Sequence, residues 1–247
     1  MKYVTMSIFK KAVVVVTGAS SGIGRAITLG LASRGVEAIC LVGRDMQELE
    51  KVVLSAKTDK ITMKCFKTDL TIDKEISATA DGMIQTFGHV DMLIHCAGTI
   101  SLGLMEASKI GDFDRQYILN VRAPYLFTQK LLPAIKARKG QIVFINSSVG
   151  LISKENVGQY AATKHALKAM SDSLRGEVNP HGVRVLSVYP GQTATPMQEK
   201  LYTSSGKNYN PEKLMQPEDV ASVVIHSLGL PHTAEVTDIM IRPMQKP

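Results

Sequence analysis

Tryptophan is absent from this chain, and aromatic residues together make up only 5% of its 247 positions. That scarcity removes the stacked aromatic platforms on which single-stranded nucleic acids are held. Only three cysteines occur, Cys40, Cys65 and Cys96, far apart and odd in number. They have neither metal-ligand nor disulfide-framework spacing, and the six histidines fall in no paired motif, so no metal site is expected. Cys40 and Cys65 lie in apolar, strand-like runs and read as buried thiols. No apolar run reaches the length of a membrane span. Residues 1–11 lack the apolar centre and small-residue cleavage site of a signal peptide. The expectation is a cytoplasmic protein without membrane attachment.

The formal net charge is +7, yet its lysines and arginines are dispersed, with no basic block, zinc-finger spacing or basic-zipper pattern. Nucleic acid is therefore not an expected partner, and a basic surface that favours an anionic cofactor is the simpler reading.

What the chain does have is rhythm. Apolar β-branched runs at 12–17, 37–42, 61–66, 91–95, 141–146, 184–188 and 238–241 alternate with helical patterns near 22–34, 45–57, 73–87, 112–137, 159–179 and 217–229. The runs are continuously apolar, as strands covered on both faces are. Strand-helix alternation predicts an α/β fold: one doubly wound, mostly parallel, seven-stranded sheet of Rossmann type, filling a single domain over 1–247. One stretch, 192–216, breaks the rhythm with polar residues, Gly206, Pro196 and Pro211. It follows the sixth strand, at the sheet end where ligands bind, and reads as a substrate lid with a short helix near 197–202.

Thr17-Gly18-Ala19-Ser20-Ser21-Gly22-Ile23-Gly24 stands where the first strand becomes the first helix. Glycines at 18, 22 and 24 permit a tight turn and close approach of a pyrophosphate to the helix N-terminus, with Ser20 and Ser21 as hydroxyl donors. The second strand ends Val42-Gly43-Arg44, offering a guanidinium where a carboxylate would select NAD. A fork of fixed donors suits the 2′-phosphate of NADP, and the alternative for Arg44 is a solvated surface charge. Asp45 would begin the next helix as its N-cap. NADP(H) is the expected cofactor.

Tyr160 and Lys164 stand four apart, on one face of a helix, with Ser147 thirteen residues before the tyrosine. A phenol with a pKa near 10 is a poor acid–base group at neutral pH. One charge about 4 Å away, at an effective dielectric of ~20, is worth roughly 4 kcal/mol, or about 3 pK units, against which burial would act. Lys164 is thus expected to draw the phenol into the working range for proton transfer. The spacing alone proves little: Tyr209 and Lys213 share it, but Pro211 interrupts any helix there.

With these residues in place the chain resembles a classical short-chain dehydrogenase/reductase over nearly its whole length. The resemblance implies that Asp69-Leu70 contact adenine and that Cys96, Ala97 and Gly98 lie against the cofactor. It implies that Pro190, Gly191, Thr193 and Thr195 hold the nicotinamide carboxamide. It makes Asn120, Ser147, Tyr160 and Lys164 the catalytic set, with Asn120 holding a water beside the lysine and Lys164 also bonding the nicotinamide ribose. The resemblance, through the family's spacing of thirteen residues from serine to tyrosine, implies Ser147 rather than Ser148, which would point to the other side if the strand continued, and Gly150 fits the family register. Two departures stand out. His95-Cys96 replaces the family's paired asparagines, and His95 reads as structural; the C-terminus is similar to NADP-dependent 3-hydroxy-acid dehydrogenases and related carbonyl reductases.

The implied activity is reversible reduction of a ketone or 3-oxo compound by pro-S hydride transfer, in a homodimer or homotetramer packed through the helices near 112–137 and 159–179. A small carbonyl or alcohol is the only other expected partner. Met197, Lys200, Leu201, Tyr202, Lys207 and Tyr209 of the lid suit an apolar or an acidic ketone. The rival reading is an NADP-binding sensor or scaffold without turnover.

Overall fold

Successive residues of a strand face opposite sides of a sheet, and here both sides are apolar. In β1 (Val13–Thr17), Val14 and Val16 enter one core while Val13 and Val15 enter the other. The same division runs through β2 (Ala38–Gly43), where Ile39 and Leu41 oppose Cys40 and Val42. The computed structural model describes residues 8–56, 58 and 60–245. Residues 1–7, on which part of the signal-peptide reading rests, and Lys57, the end of the second expected helix, lie outside the described residues.

The remaining strands are β3 (Thr62–Lys67), β4 (Met92–His95), β5 (Gln141–Ile145), β6 (Arg184–Pro190) and β7 (Asp238–Ile241). All pairings are parallel, in the order β3-β2-β1-β4-β5-β6-β7. Helices α1 (Gly22–Ala32), α2 (Met46–Ser55) and α8 (Pro217–Leu228) share the first core, through Ile27, Leu49 and Val224. Helices α3 (Asp73–Phe87), α5 (Ala123–Ala137) and α6 (Gly158–Val178) share the second, through Met83, Phe127 and Leu167. Phe127 is fully buried, and its truncation to alanine costs about 3–5 kcal/mol. The fold is the expected Rossmann sheet with helices on both faces. Its strand order reverses between β1 and β4, which opens a crevice at the carboxyl ends of those strands.

Three expectations need correction. The edge strands are not continuously buried: Thr62, Lys64 and Lys67 of β3 are exposed, as are Asp238 and Met240 of β7, because water reaches the outer side of a strand paired only once. Cys65 is accordingly half-buried, while Cys40 is enclosed. The expected helix at 112–137 is α4 (Ile110–Tyr117), a π-helical turn at Ile118–Arg122, and then α5. The segment 192–216 holds α7 (Pro196–Ser204) and a 3-10 turn at Pro211–Lys213, and its ends are stitched where Ala194 N donates to the Met215 carbonyl at 2.7 Å. No helix among the described residues is long and apolar enough to cross a membrane.

Candidate active site

The crevice floor is backbone. Gly18 has φ +64°, and a Cβ there would lie 2.8 Å from Ala97 Cα, so the turn after β1 presses directly on the chain leaving β4. A Cβ on Gly24 would stand 2.3 Å from the Gly18 carbonyl oxygen. The Thr17 hydroxyl joins the two segments, accepting from Cys96 N and Ala97 N at 3.2 Å each. Ser21, the N-cap of α1, gives that helix no side-chain cap, so the first N–H groups of α1 face the crevice with the positive end of its dipole. A side-chain-free cradle at a helix N-terminus fits a pyrophosphate.

At the end of β2, Arg44 shares an open recess with Ser20 and with Lys67, which stands opposite Gly43 in the parallel register. Asp45 also borders the recess, but its carboxylate caps α2, accepting from Gln47 N at 3.0 Å and Glu48 N at 3.2 Å. Beyond it, Asp69 accepts from Thr71 N at 2.9 Å and Thr71 Oγ1 at 2.7 Å. Those bonds, with the Arg44 charge adding to them, hold its carboxyl below the usual range, and Leu70 beside it is buried.

Ser147 leaves the end of β5 and caps the 3-10 turn Ser148–Gly150, its hydroxyl accepting from Val149 N at 3.4 Å. A Cβ on Gly150 would come within 2.6 Å of Asn146 Oδ1 and 3.0 Å of the Lys164 carbonyl, which explains why glycine stands three residues after Ser147. The strand ends at Ile145, so alternation does not turn Ser148 away; both serines line the cleft, and Ser148 is exposed where Ser147 is half-buried. Ser147 is the serine whose hydroxyl bears on the Tyr160 phenol.

Tyr160 and Lys164 do share a face of α6, with the Lys164 ammonium 5.7 Å from the centre of the Tyr160 ring. The electrostatic expectation is overturned. Burial pushes the Tyr160 phenol up to about 12, the Ser147 hydroxyl acting against it. Burial also pulls Lys164 down to about 8. Desolvation is the dominant influence on both groups, and the ammonium donates to the Ile145 carbonyl at 3.0 Å.

Asn120, within the π turn, does not reach the cleft surface. Its Oδ1 accepts from Thr99 N at 2.8 Å, and its Nδ2 donates to the Thr99 carbonyl at 2.9 Å and to Thr163 Oγ1 at 3.1 Å. Its own carbonyl has Pro124 four residues on, which carries no N–H to donate.

The other expected site residues all line one cleft of about 480 Å3, from Arg44, Asp69 and Leu70 past Gly18, Ser20, Ser21, Gly22, Ile23, Gly24, Cys96, Ala97 and Gly98 to Ser147, Tyr160 and Lys164. Pro190, Gly191, Thr193 and Thr195 close the near side. The Thr195 hydroxyl caps α7, accepting from Gln198 N at 3.2 Å, and its methyl would meet a Cβ on Gly22 at 3.0 Å. Burial keeps the Cys96 thiol protonated. His95 is buried, stacked on Phe144 at 5.0 Å and bonded through Nε2 to Thr128 Oγ1 at 2.9 Å, and lies outside the cleft.

Of the segment 192–216, Met197 and Leu201 reach the cleft; Lys200, Tyr202, Lys207 and Tyr209 do not, the two tyrosines packing on each other at 5.7 Å. Sequence reasoning missed Lys67, legible only once the third strand is set beside the second, and Lys154, which lines the cleft from the 3-10 side. It also missed Ile100, Leu102, Val149 and Val157, whose apolar character alone does not separate them from core.

A doubly wound parallel sheet whose switch point carries a glycine cradle and a serine–tyrosine–lysine cluster lining one cleft defines a Rossmann-fold oxidoreductase. A family profile described as short chain dehydrogenase matches residues 12–206, and this chain belongs to that family. An uncharacterized oxidoreductase of Staphylococcus epidermidis is 31% identical over 240 residues, covering 97% of this chain and 100% of the relative. An alcohol dehydrogenase of the archaeon Thermococcus sibiricus, solved with 5-hydroxy-NADP, is 26% identical with a TM-score of 0.87, covering 96% of this chain and 99% of that one. A metagenomic short-chain oxidoreductase in complex with NADP is 29% identical with a TM-score of 0.83, covering 97% and 100%.

Proposed function

We propose that this protein is an NADP(H)-dependent reductase that converts a ketone or 3-oxo compound to a secondary alcohol, reversibly. The observation that carries the reading is one cleft with Ser147, Tyr160 and Lys164 at one end and Arg44 at the other, where Ser20 and Arg44 also border the recess that holds Lys67. The structurally similar proteins solved with NADP and 5-hydroxy-NADP support the choice of cofactor.

When bound, the nicotinamide cofactor supplies the hydride that the carbonyl carbon receives. The chain's residues do the rest. Ser147 and Tyr160 donate to the carbonyl oxygen, and these bonds strengthen as negative charge grows there. Tyr160 then gives that oxygen its proton, completing the alcohol. A phenol held at about 12 is fully protonated at neutral pH, the form that reduction requires. Lys164 uses one of its three donors on Ile145, leaving two for the ribose hydroxyls, and its charge stabilises the phenolate as it forms. The Asn120 side chain is committed, so a water serving Lys164 would be held by the Asn120 carbonyl, which Pro124 leaves without its α-helical donor. Arg44 and Lys67 would meet the 2′-phosphate, and the Asp45 carboxylate is engaged with the positive end of α2, which offsets part of its charge.

The same reading takes the protein as a homodimer or homotetramer. The exposed Ile110, Tyr117 and Tyr125, along α4 and α5, support pairing of copies through that face. The test of function is a hydride-transfer assay over a panel of carbonyl compounds with NADPH and with NADH. Turnover at least ~10-fold more efficient with NADPH is expected, with Arg44→Ala and Lys67→Ala each eroding the preference. Equal efficiency with both cofactors would remove the 2′-phosphate assignment. Tight NADPH binding without turnover of any carbonyl would restore the sensor reading.

A further inference from the structure

Past Ser147 and Tyr160 the cleft changes character. Its walls are Ile100, Leu102, Val149, Val157, Met197 and Leu201. The apolar surface does not stop at the mouth. Leu102, which lines the cleft, and Leu104 are half-exposed, Met105 beside them is 91% exposed, and Ile152, between the lining residues Val149 and Lys154, is 72% exposed. Their two loops are joined, Gly103 N donating to the Asn156 carbonyl at 2.9 Å, so the rim is one surface. Exposed apolar side chains gathered beside a site mark something that covers them when the site is in use.

Charge in the cleft lining of this half is one-sided, the glutamates of the rim loops, Glu106 and Glu155, lying outside the lining. Lys154 is the only charged side chain lining the substrate end outside the Tyr160–Lys164 pair, and among the described residues no ion pair engages it. The only carboxylate in the whole lining, Asp69, is at the far end with Arg44. Lys154 lies two residues from both Ile152 and Asn156, so the cation is carried by the loop that carries the apolar rim.

We infer that the substrate is an amphiphilic carbonyl compound: an apolar body long enough to leave the cleft across the Leu102–Met105 and Ile152 rim, carrying an anionic group that Lys154 receives. This rests on the proposed reductase reading and narrows it. A carboxylate and a phosphate share the chemistry that an ammonium recognises, and Lys154 lines the cleft where the exposed Glu106 and Glu155 of the rim loops do not, so either anion is accepted there on an aliphatic stem.

The experiment compares a medium-chain oxo acid, the same chain ending in an alkyl phosphate, and the neutral methyl ester. Each is measured for kcat/KM with NADPH, and the corresponding hydroxy compounds are titrated by calorimetry into the protein saturated with NADPH. The wild type is expected to favour at least one anionic compound over the ester by about tenfold, which corresponds to about 1.4 kcal/mol. Lys154→Ala should collapse that preference, Lys154→Arg should keep it and Lys154→Glu should invert it. Ile152→Ser should cost the longer chain more than a short one. Equal wild-type affinity for acid, phosphate and ester overturns the inference, as does a preference that survives Lys154→Glu. Absence of turnover with every carbonyl overturns the reductase reading instead, and the calorimetric comparison still decides whether Lys154 receives an anion.

Discussion

Lys164 stands over Tyr160, its ammonium 5.7 Å from the ring centre, and burial drives the two side chains in opposite directions. The phenol rises to about 12 and the ammonium falls to about 8, so in the free protein the lysine releases its proton before the tyrosine does. The pair is therefore held ready at a cost in stability, and that cost is measurable.

Between pH 8 and 10.5 the unfolded chain keeps a proton on Lys164 that the folded protein releases, so this group makes stability rise with pH across that window. Below pH 8 both states are protonated and the full penalty stands, on the order of 3 kcal/mol for displacement from 10.5 to about 8. Lys164→Met should therefore raise the unfolding temperature at pH 7, less what the lost bond to Ile145 removes, while abolishing turnover. Calorimetry from pH 7 to 10.5 should show the gap narrowing, and a constant gap would show that the folded lysine does not titrate there.

Tyr160→Phe removes the proton donor and keeps the ring. Turnover should fall by roughly 10²–10⁴, the usual range for losing a general acid, with NADPH affinity changed less than threefold on the order of a single weak contact. Ser147→Ala should lower turnover far more than Ser148→Ala, because only Ser147 bears on the phenol. Steady-state kinetics and direct cofactor titration separate these outcomes; the reverse order for the serines would reassign the catalytic hydroxyl.

Gly24→Ala would place a methyl 2.3 Å from the Gly18 carbonyl oxygen, a backbone atom that no rotamer change can move aside. Overpacking of this kind costs about 1–3 kcal/mol or more, and here it would also push the glycine turn into the cofactor site. Both denaturant stability and NADPH affinity should drop. A variant that binds NADPH normally would show that the turn has room to shift.

His95 is neutral in the folded protein, since burial lowers its pKa from 6.5 to about 3. As pH falls from 6.5 toward 3, the unfolded chain takes up a proton that the folded protein refuses, and stability is lost at up to about 1.4 kcal/mol per pH unit. His95→Gln keeps a donor within reach of Thr128 without the titration. Urea midpoints measured from pH 7 to 4 should fall less steeply in the variant, and parallel slopes would free His95 of this role.

Strand-helix alternation made the sheet legible in the sequence, and the glycine turn, Arg44 and the Ser147–Tyr160–Lys164 spacing made the cleft legible, because each depends on local periodicity or fixed offsets. What escaped was set by tertiary neighbours. Cys65 is half-buried because β3 is an edge strand, which no single run of residues announces. The π turn at Asn120 and the direction of the Tyr160 shift depend on what is packed around them. Lys67 belongs to the recess only through its register with Gly43, and Lys154 lines the cleft while Lys200 and Lys207 of the segment 192–216 do not.

The floor of the cleft is the turn after β1 pressed backbone to backbone on Ala97, with the Thr17 hydroxyl clamping the join. On the proposed reading, the surfaces that choose a substrate sit elsewhere, on the segments 100–105, 151–157 and 192–201. The part that tolerates no added atom is thus separate from the part that discriminates among molecules. Descendants of such a chain can exchange one clientele for another by rewriting loops, leaving the chemistry they inherited untouched.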